Sequence, residues 1–303
     1  MADTDLIMSR PGQVNKSGDI DAMFMKVFSG EVMTAFAETN VMKDLHRIRT
    51  IDHGKSASFA VLGKASARYH VPGTAILGSN KIAANERIIN IDDLLIADVS
   101  IYDLEDAKNH YDVRQEYSRQ LGQALAVAFD KKTIRVAVKA ARSNGIIDDE
   151  PGGAVINAGA NVETDGETLA EAFFACAQTW DEKDIVQWDR AMLLRPAQYY
   201  LLTQFTKALN KDWNGAGSYS NAFIPEIAGI RIIKTNHLPS GVVTAESGEK
   251  NDYTGDFSNT VALALQKEAI GTVKLKDLTV EKSGSDFHVV YQATMMLAKY
   301  AIN

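Results

Sequence analysis

Residues 103–142, DLEDAKNHYDVRQEYSRQLGQALAVAFDKKTIRVAVKAAR, constrain this chain more than any other stretch. They hold no proline and one interior glycine, Gly122, so nothing forces a break in helical hydrogen bonding. Tyr117, Leu121, Ala124, Leu125 and Ala128 fall on one face of a 3.6-residue period. Asp103 suits the first-turn cap, with Glu105 and Asp106 behind it; Lys131, Lys132, Arg135, Lys139 and Arg142 crowd the far half. Acid first and base last is the order the helix dipole favours. At 1.5 Å per residue the predicted rod is roughly 60 Å long, several times the usual globular helix of about 11–12 residues. Such a helix crosses more than one layer of a molecule.

The whole chain has 303 residues, enough for two domains or one elongated one. Hydrophobic residues at 46% and charged ones at 23% describe a folded protein with ample core material. A net charge of −7 opposes tight nucleic-acid binding, which needs lysine and arginine against phosphates. The opening MADTDLIMSRPG is acidic without an apolar run, so no secretory signal is expected, and no stretch approaches the ~20 apolar residues of a membrane span. The single cysteine, Cys176 in AFFACAQTW, reads as a buried thiol on a helix.

Residues 1–18 read as a polar arm. Residues 19–39 predict a helix, with Met23, Phe24, Val27, Phe28, Val32 and Phe36 as an apolar stripe for the core or for a neighbouring subunit. Strands are expected at 55–62 and 87–102, joined by a glycine- and proline-bearing connection that reads as an extended hairpin. Residues 143–166 are rich in glycine and asparagine and read as a boundary. An α/β unit follows: a helix from 167, a strand RAMLLRP, a helix opened by Pro196, a loop at 211–225, a strand IAGIRIIKTNHLP and a strand VALALQ. Two strand-like runs around the turn at 283–286 close the chain.

Side chains suited to chemistry are scattered. His46, His53, His70, His110, His237 and His288 show no metal-ligand spacing, and Gly215-Ala216-Gly217-Ser218 lacks the lysine of a phosphate loop. Three acidic runs, Asp92-Asp93, Asp103/Glu105/Asp106 and Asp148-Asp149-Glu150, have the side chains for a hard cation or a carboxylate pair. Asp103/Glu105/Asp106 is accounted for by helix capping, and Asp148-Asp149-Glu150 by a turn before Pro151. No catalytic, cofactor or metal site is assigned.

Several stretches resemble the major capsid protein of T7-like short-tailed bacteriophages. MKVFSGEVMTAFAET (25–39) is similar to its N-terminal helix and GKSASFAVLG (54–63) to the strand opening its extended loop. The most specific match is NIDDLLIADVSIYDLEDAKNHYDVRQEYSRQLGQALA (90–126); AIGTVKLKDLTVE (269–281) and LAKYAI near the end complete it. The resemblance implies an α+β chain of the HK97-like capsid fold. Its parts would be an N-terminal arm and helix (1–45), an extended loop (46–102), a spine helix with linker (103–164), an axial domain (165–268) and C-terminal strands (269–303). It implies a subunit that self-assembles into hexamers and pentamers of an icosahedral head around double-stranded DNA. The expected partners are a scaffolding protein, a portal and decoration proteins, with no membrane, no cofactor and no enzymatic activity. Its place would be the virion, assembled in the host cytoplasm. An encapsulin-like nanocompartment shell is the alternative, a soluble α/β enzyme the remote one. Some capsids of this fold crosslink a loop lysine to a neighbour's asparagine; Lys55, Lys64 and Lys81 are on this loop, but non-covalent assembly is expected here.

Charge adds one expectation about contacts. Between 54 and 87 stand Lys55, Lys64, Arg68, Lys81 and Arg87 against Glu86; between 103 and 116 stand Asp103, Glu105, Asp106, Asp112 and Glu116 against Lys108 and Arg114. Lys64, Arg68, Lys81 and Arg87 of one subunit are therefore expected over the acidic helix start of its neighbour.

Overall fold

A computed structural model describes residues 40–76, 78, 82–102, 113–147, 152–205, 223–285 and 288–301. The expected helix at 19–39, residues 211–222 of the expected loop at 211–225, the acids at 148–150 and the cap at Asp103 lie outside these residues. Two compact units are present. One takes in 93–129 and 276–297; the other takes in 41–92 and 130–275.

In the first unit, strand β4 (Leu95–Tyr102) runs antiparallel to β12 (His288–Ala301), with His288 opposite Tyr102 and Met295 opposite Leu95. This unit also holds the first part of helix α1 (Val113–Ala141), whose 29 residues make a rod of about 44 Å. The rest of the 103–142 stretch ahead of Val113 lies outside the described residues.

In the second unit, β1 (Arg47–Thr50) pairs in parallel with the start of β11 (Ile270–Ser285), Arg47 opposite Gly271. Beside that pair a hairpin forms from β2 (Ser56–Leu62) and β3 (Ala84–Asn90), with Ser56 opposite Asn90 and Leu62 opposite Ala84. Alternation in β2 sends Phe59 inward, where Ile89 and Val273 seal it with Ile51, Ala57 and Ile91. The run 87–102, expected as one strand, is two: β3 ends at Asn90 and β4 starts at Leu95. The physical reason is Asp92, whose carboxylate turns inward instead of continuing a ladder.

The α/β part of this unit has a four-stranded sheet in the order β10 (Ala262–Gln266), β5 (Arg190–Leu194), β7 (Ile230–Lys234), β6 (Glu226–Ile227). Only β5–β7 is a parallel pair. All of RAMLL is buried, as a central strand covered on both faces requires. Helices α2 (Gly166–Glu182) and α3 (Pro196–Gln204) pack on it, and Leu169, Phe173, Leu194, Leu202, Ile224 and Ile230 form the core. Each such side chain contributes about 1.5–3 kcal/mol on burial. Asp165 caps α2 by accepting from the amides of Glu167 and Thr168 and from the Thr168 hydroxyl, which hold its carboxyl below the ordinary range. Cys176 faces this core, and burial pushes its thiol up to about 11. The expected single strand across IAGIRIIK is a tight hairpin, because Ala228 and Gly229 both take positive φ and turn the chain between β6 and β7.

Buried polar groups hold the start of this unit. His46 donates from Nδ1 to the Met42 carbonyl, so its Nε2 accepts from the Thr272 hydroxyl at 2.8 Å. The boundary stretch also packs: the Gly153 amide donates to the Ser143 carbonyl at 3.0 Å, and a Cβ on Gly153 would stand 2.4 Å from the Ala141 carbonyl oxygen. Glycine lets this turn close over the C-terminus of α1.

Candidate assembly surface

The β2–β3 hairpin buries one face and leaves the other to solvent. Phe59 and Ile89 point into the core, while Leu62 and Ile88 are exposed. Beyond Leu62 the chain continues as a long connection with little regular structure. Tyr69, Val71, Ile76 and Ile82 are all exposed there, Tyr69 completely. A tight turn at its tip is fixed by Thr74, whose amide and hydroxyl both donate to the Val71 carbonyl. An isolated exposed apolar side chain is ordinary; several on one exposed segment make it a candidate interaction surface.

The expected contact residues separate into groups. Lys64 and Arg68 are exposed on this connection, and Arg87 is half-buried on β3 opposite Phe59. Lys81, Asp103, Glu105, Asp106 and Asp112 lie outside the described residues. Glu116 belongs to α1. A second set of exposed apolar side chains is on the α/β part, with Phe174 on the outer face of α2, and Val186 and Trp188 in the turn before β5.

The hairpin is fixed at its root. The Ile91 amide donates to the Lys55 carbonyl at 2.9 Å. Asp92 Oδ1 accepts from the amides of Lys250 and Asn251 at 2.8 and 3.1 Å and from Asn251 Nδ2 at 2.9 Å; its Oδ2 accepts from the Tyr253 hydroxyl. Asn251 Nδ2 also donates to the Asn90 carbonyl at 2.8 Å. Burial first, then the charge of Asp92, pushes the Tyr253 phenol well above its ordinary range. Asp92, part of one of the three acidic runs noted in the sequence, thus spends its acceptors on structure. The partners were missed because they stand some 160 positions away and carry no local signal.

A model of the Gp10A-like major capsid protein family matches residues 58–303. The chain belongs to this family. The major capsid protein of Escherichia phage T7 is 33% identical over 94% of this chain and 89% of its own length. That of Enterobacteria phage T3 is 32% identical over 98% and 92%. Among solved structures, a capsid subunit of the cyanophage P-SCSP1u superposes with a TM-score of 0.83 at 38% identity, over 99% of this chain and 96% of that one. The mature capsid subunit of bacteriophage PhiM1 superposes with a TM-score of 0.74 at 18% identity, over 98% and 94%, a likeness of fold.

This major capsid protein therefore has the HK97-like α+β fold and serves as a structural subunit of the icosahedral phage head. Its place is the virion, in a shell of many copies. Among the described residues no helix is long and apolar enough to cross a membrane.

Proposed function

We propose that this capsid subunit closes into hexamers and pentamers around double-stranded DNA, and that the extended hairpin makes the contact between neighbours. The observation that carries this reading is an exposed segment that is both basic and apolar. Burying it on a further copy would remove Tyr69, Val71 and Ile76 from water, and closed symmetry would multiply each weak contact.

The receptor in this reading is the acidic start of a neighbour's helix, with Asp103, Glu105, Asp106, Asp112 and Glu116 facing Lys64, Arg68, Lys81 and Arg87. Exposed ion pairs contribute only ~0–1 kcal/mol each. Their effect falls on register and assembly rate more than on strength. Reversing Lys64 and Arg68 to Glu should impair shell formation, and reversing Glu105 and Asp106 to Lys in the same chain should restore it. Normal assembly of the Lys64→Glu/Arg68→Glu protein overturns the reading.

The division of labour is an arm (1–45), the extended loop (46–102), a spine with linker (103–164), an axial domain (165–268) and C-terminal strands (269–303). Assembly proceeds in the host cytoplasm with a scaffolding protein, a portal and decoration proteins, without a catalytic step. The acidic net charge suits a wall that encloses DNA without gripping it. Contacts are non-covalent, so a boiled denaturing gel of shells should show monomer; a ladder of multimers would contradict this.

A further inference from the structure

Segment 246–260 has little regular structure beyond the two-residue strand β9 (Gly255–Asp256), yet Tyr253 and Phe257 are among the most deeply buried side chains of the protein. On one side it is fastened to helix α1. Lys132 Nζ lies 3.0 Å from Glu249 Oε1 and 5.3 Å from the centre of the Tyr253 ring. Val136 and Ala140 pack on Tyr253. Lys139 donates to the carboxylate and carbonyl of Asp252. Arg142 donates to the Asp256 carbonyl and, at 3.1 Å, to the Thr260 hydroxyl, with its guanidinium over the Phe257 ring. Positions 132, 136, 139 and 140 share one helical face, so the segment follows the helix along its length.

On the other side the same segment holds the root of the hairpin. Lys250, Asn251 and Tyr253 deliver four hydrogen bonds to the Asp92 carboxylate, and Asn251 holds the Asn90 carbonyl, the last residue of β3. The hairpin is thereby referred to α1 through this segment at its root, while near its far end Asn85 Nδ2 donates to the Ile146 carbonyl just beyond α1 at 3.1 Å.

We infer that segment 246–260 is a strap that sets the direction in which the extended hairpin leaves the subunit, with Asp92 and Tyr253 as positioning residues for shell assembly. The inference rests on the reading that the hairpin contacts a neighbour. Leverage gives it its force. A seven-residue strand is about 23 Å long, so a change of about 10° at the root moves its far end by roughly 4 Å. That displacement exceeds the reach of a hydrogen bond. A loose root would leave the subunit folded and its hairpin misdirected, and closure of a symmetric shell tolerates little misdirection.

The test uses the full-length chain with Asp92→Ala, Tyr253→Phe and the conservative Asp92→Asn, which keeps an acceptor for the backbone amides. Hydrogen exchange on unassembled subunits should show amides at 88–91 and 250–253 opening about tenfold faster in Asp92→Ala and Tyr253→Phe. Amides of Leu193 and Ile232 should be unchanged. Electron microscopy should show shells of mixed diameter or open sheets for these two variants, and uniform shells for Asp92→Asn. Unchanged exchange at the root overturns the strap, and so does an equal rise at Leu193 and Ile232. Uniform shells from Asp92→Ala alone overturn its role in assembly. Uniform shells from both Asp92→Ala and Lys64→Glu/Arg68→Glu overturn instead the hairpin-contact reading beneath it.

Discussion

Asp130 Oδ2 lies 3.1 Å from His237 Nδ1, and both side chains are sealed from solvent. The same carboxylate accepts from the amides of Val41 at 2.8 Å and Met42 at 3.1 Å. One side chain of α1 thus satisfies an imidazole and two backbone donors from segments far apart in sequence. Asp130→Ala takes this acceptor from all three donors, and leaving a buried donor unsatisfied costs about 1–3 kcal/mol. The prediction is a urea midpoint lowered accordingly, with Asp130→Asn losing less because it retains an acceptor. Equal stability of Asp130→Ala and the parent would contradict the assignment.

Gly166 opens helix α2 where that helix meets α3. A Cβ there would stand 2.6 Å from the Leu201 carbonyl oxygen, closer than backbone atoms tolerate. Gly166→Ala should therefore push the two helices apart and lower stability by about 1–3 kcal/mol. A thermal melt checks this, and an unchanged melting temperature would show that the helices have room to shift.

The hydrogen bond from Lys139, aided by the hydroxyl and amide of Thr254, holds the Asp252 carboxyl down to about 2. In the unfolded chain it returns to about 3.9. Between these values the unfolded chain binds more protons than the native one, so acid works against the fold. The contribution of Asp252 is complete above its unfolded value and is lost as pH falls through its folded one. The stability difference between the parent and Asp252→Asn should be constant at neutral pH, shrink from about pH 4 downward and vanish only below about 2, a comparison that denaturant melts at several pH values provide. A difference that persists undiminished at low pH would assign it to packing.

Leu121 stands well inside helix α1. Leu121→Pro removes an interior hydrogen bond and clashes with the preceding turn, at a cost of about 3 kcal/mol or more. The expected outcome is loss of helical circular dichroism together with loss of shells in negative-stain images. Normal shells would mean that the subunit does not need this helix in one piece.

Much of the architecture was legible because its signals are local. Alternation at 56–62, the apolar face Leu169, Phe173 and Cys176 of α2, and Pro196 at the first position of α3 each announce an element from neighbouring residues alone. Two elements were misjudged where the decisive partner is remote or the turn chemistry unusual. The break after Asn90 depends on donors from Lys250, Asn251 and Tyr253, and the turn at Ala228-Gly229 uses an alanine at positive φ. The buried Asp130 was hidden in the apolar run AVAFD, where a carboxylate normally reads as the solvent side of a helix. Charge along the sequence named the bases at Lys64 and Arg68 and the acids from Asp103 to Glu116, but the order of residues carries no signal for which surfaces of two copies meet.

The parallel pairing of β1 with β11 sets an order of events at the ribosome. Arg47–Thr50 emerges early but finds its ladder only when Gly271–Lys274 has been synthesised, and Val273 is the residue that closes the core beneath Phe59 and Ile89. Until then the root of the hairpin has no floor. Long-range closure of this kind is slow and leaves apolar surface open meanwhile. A chain abandoned before about residue 270 lacks the strand that seats its hairpin, so the hairpin is finished only when nearly the whole subunit has been made.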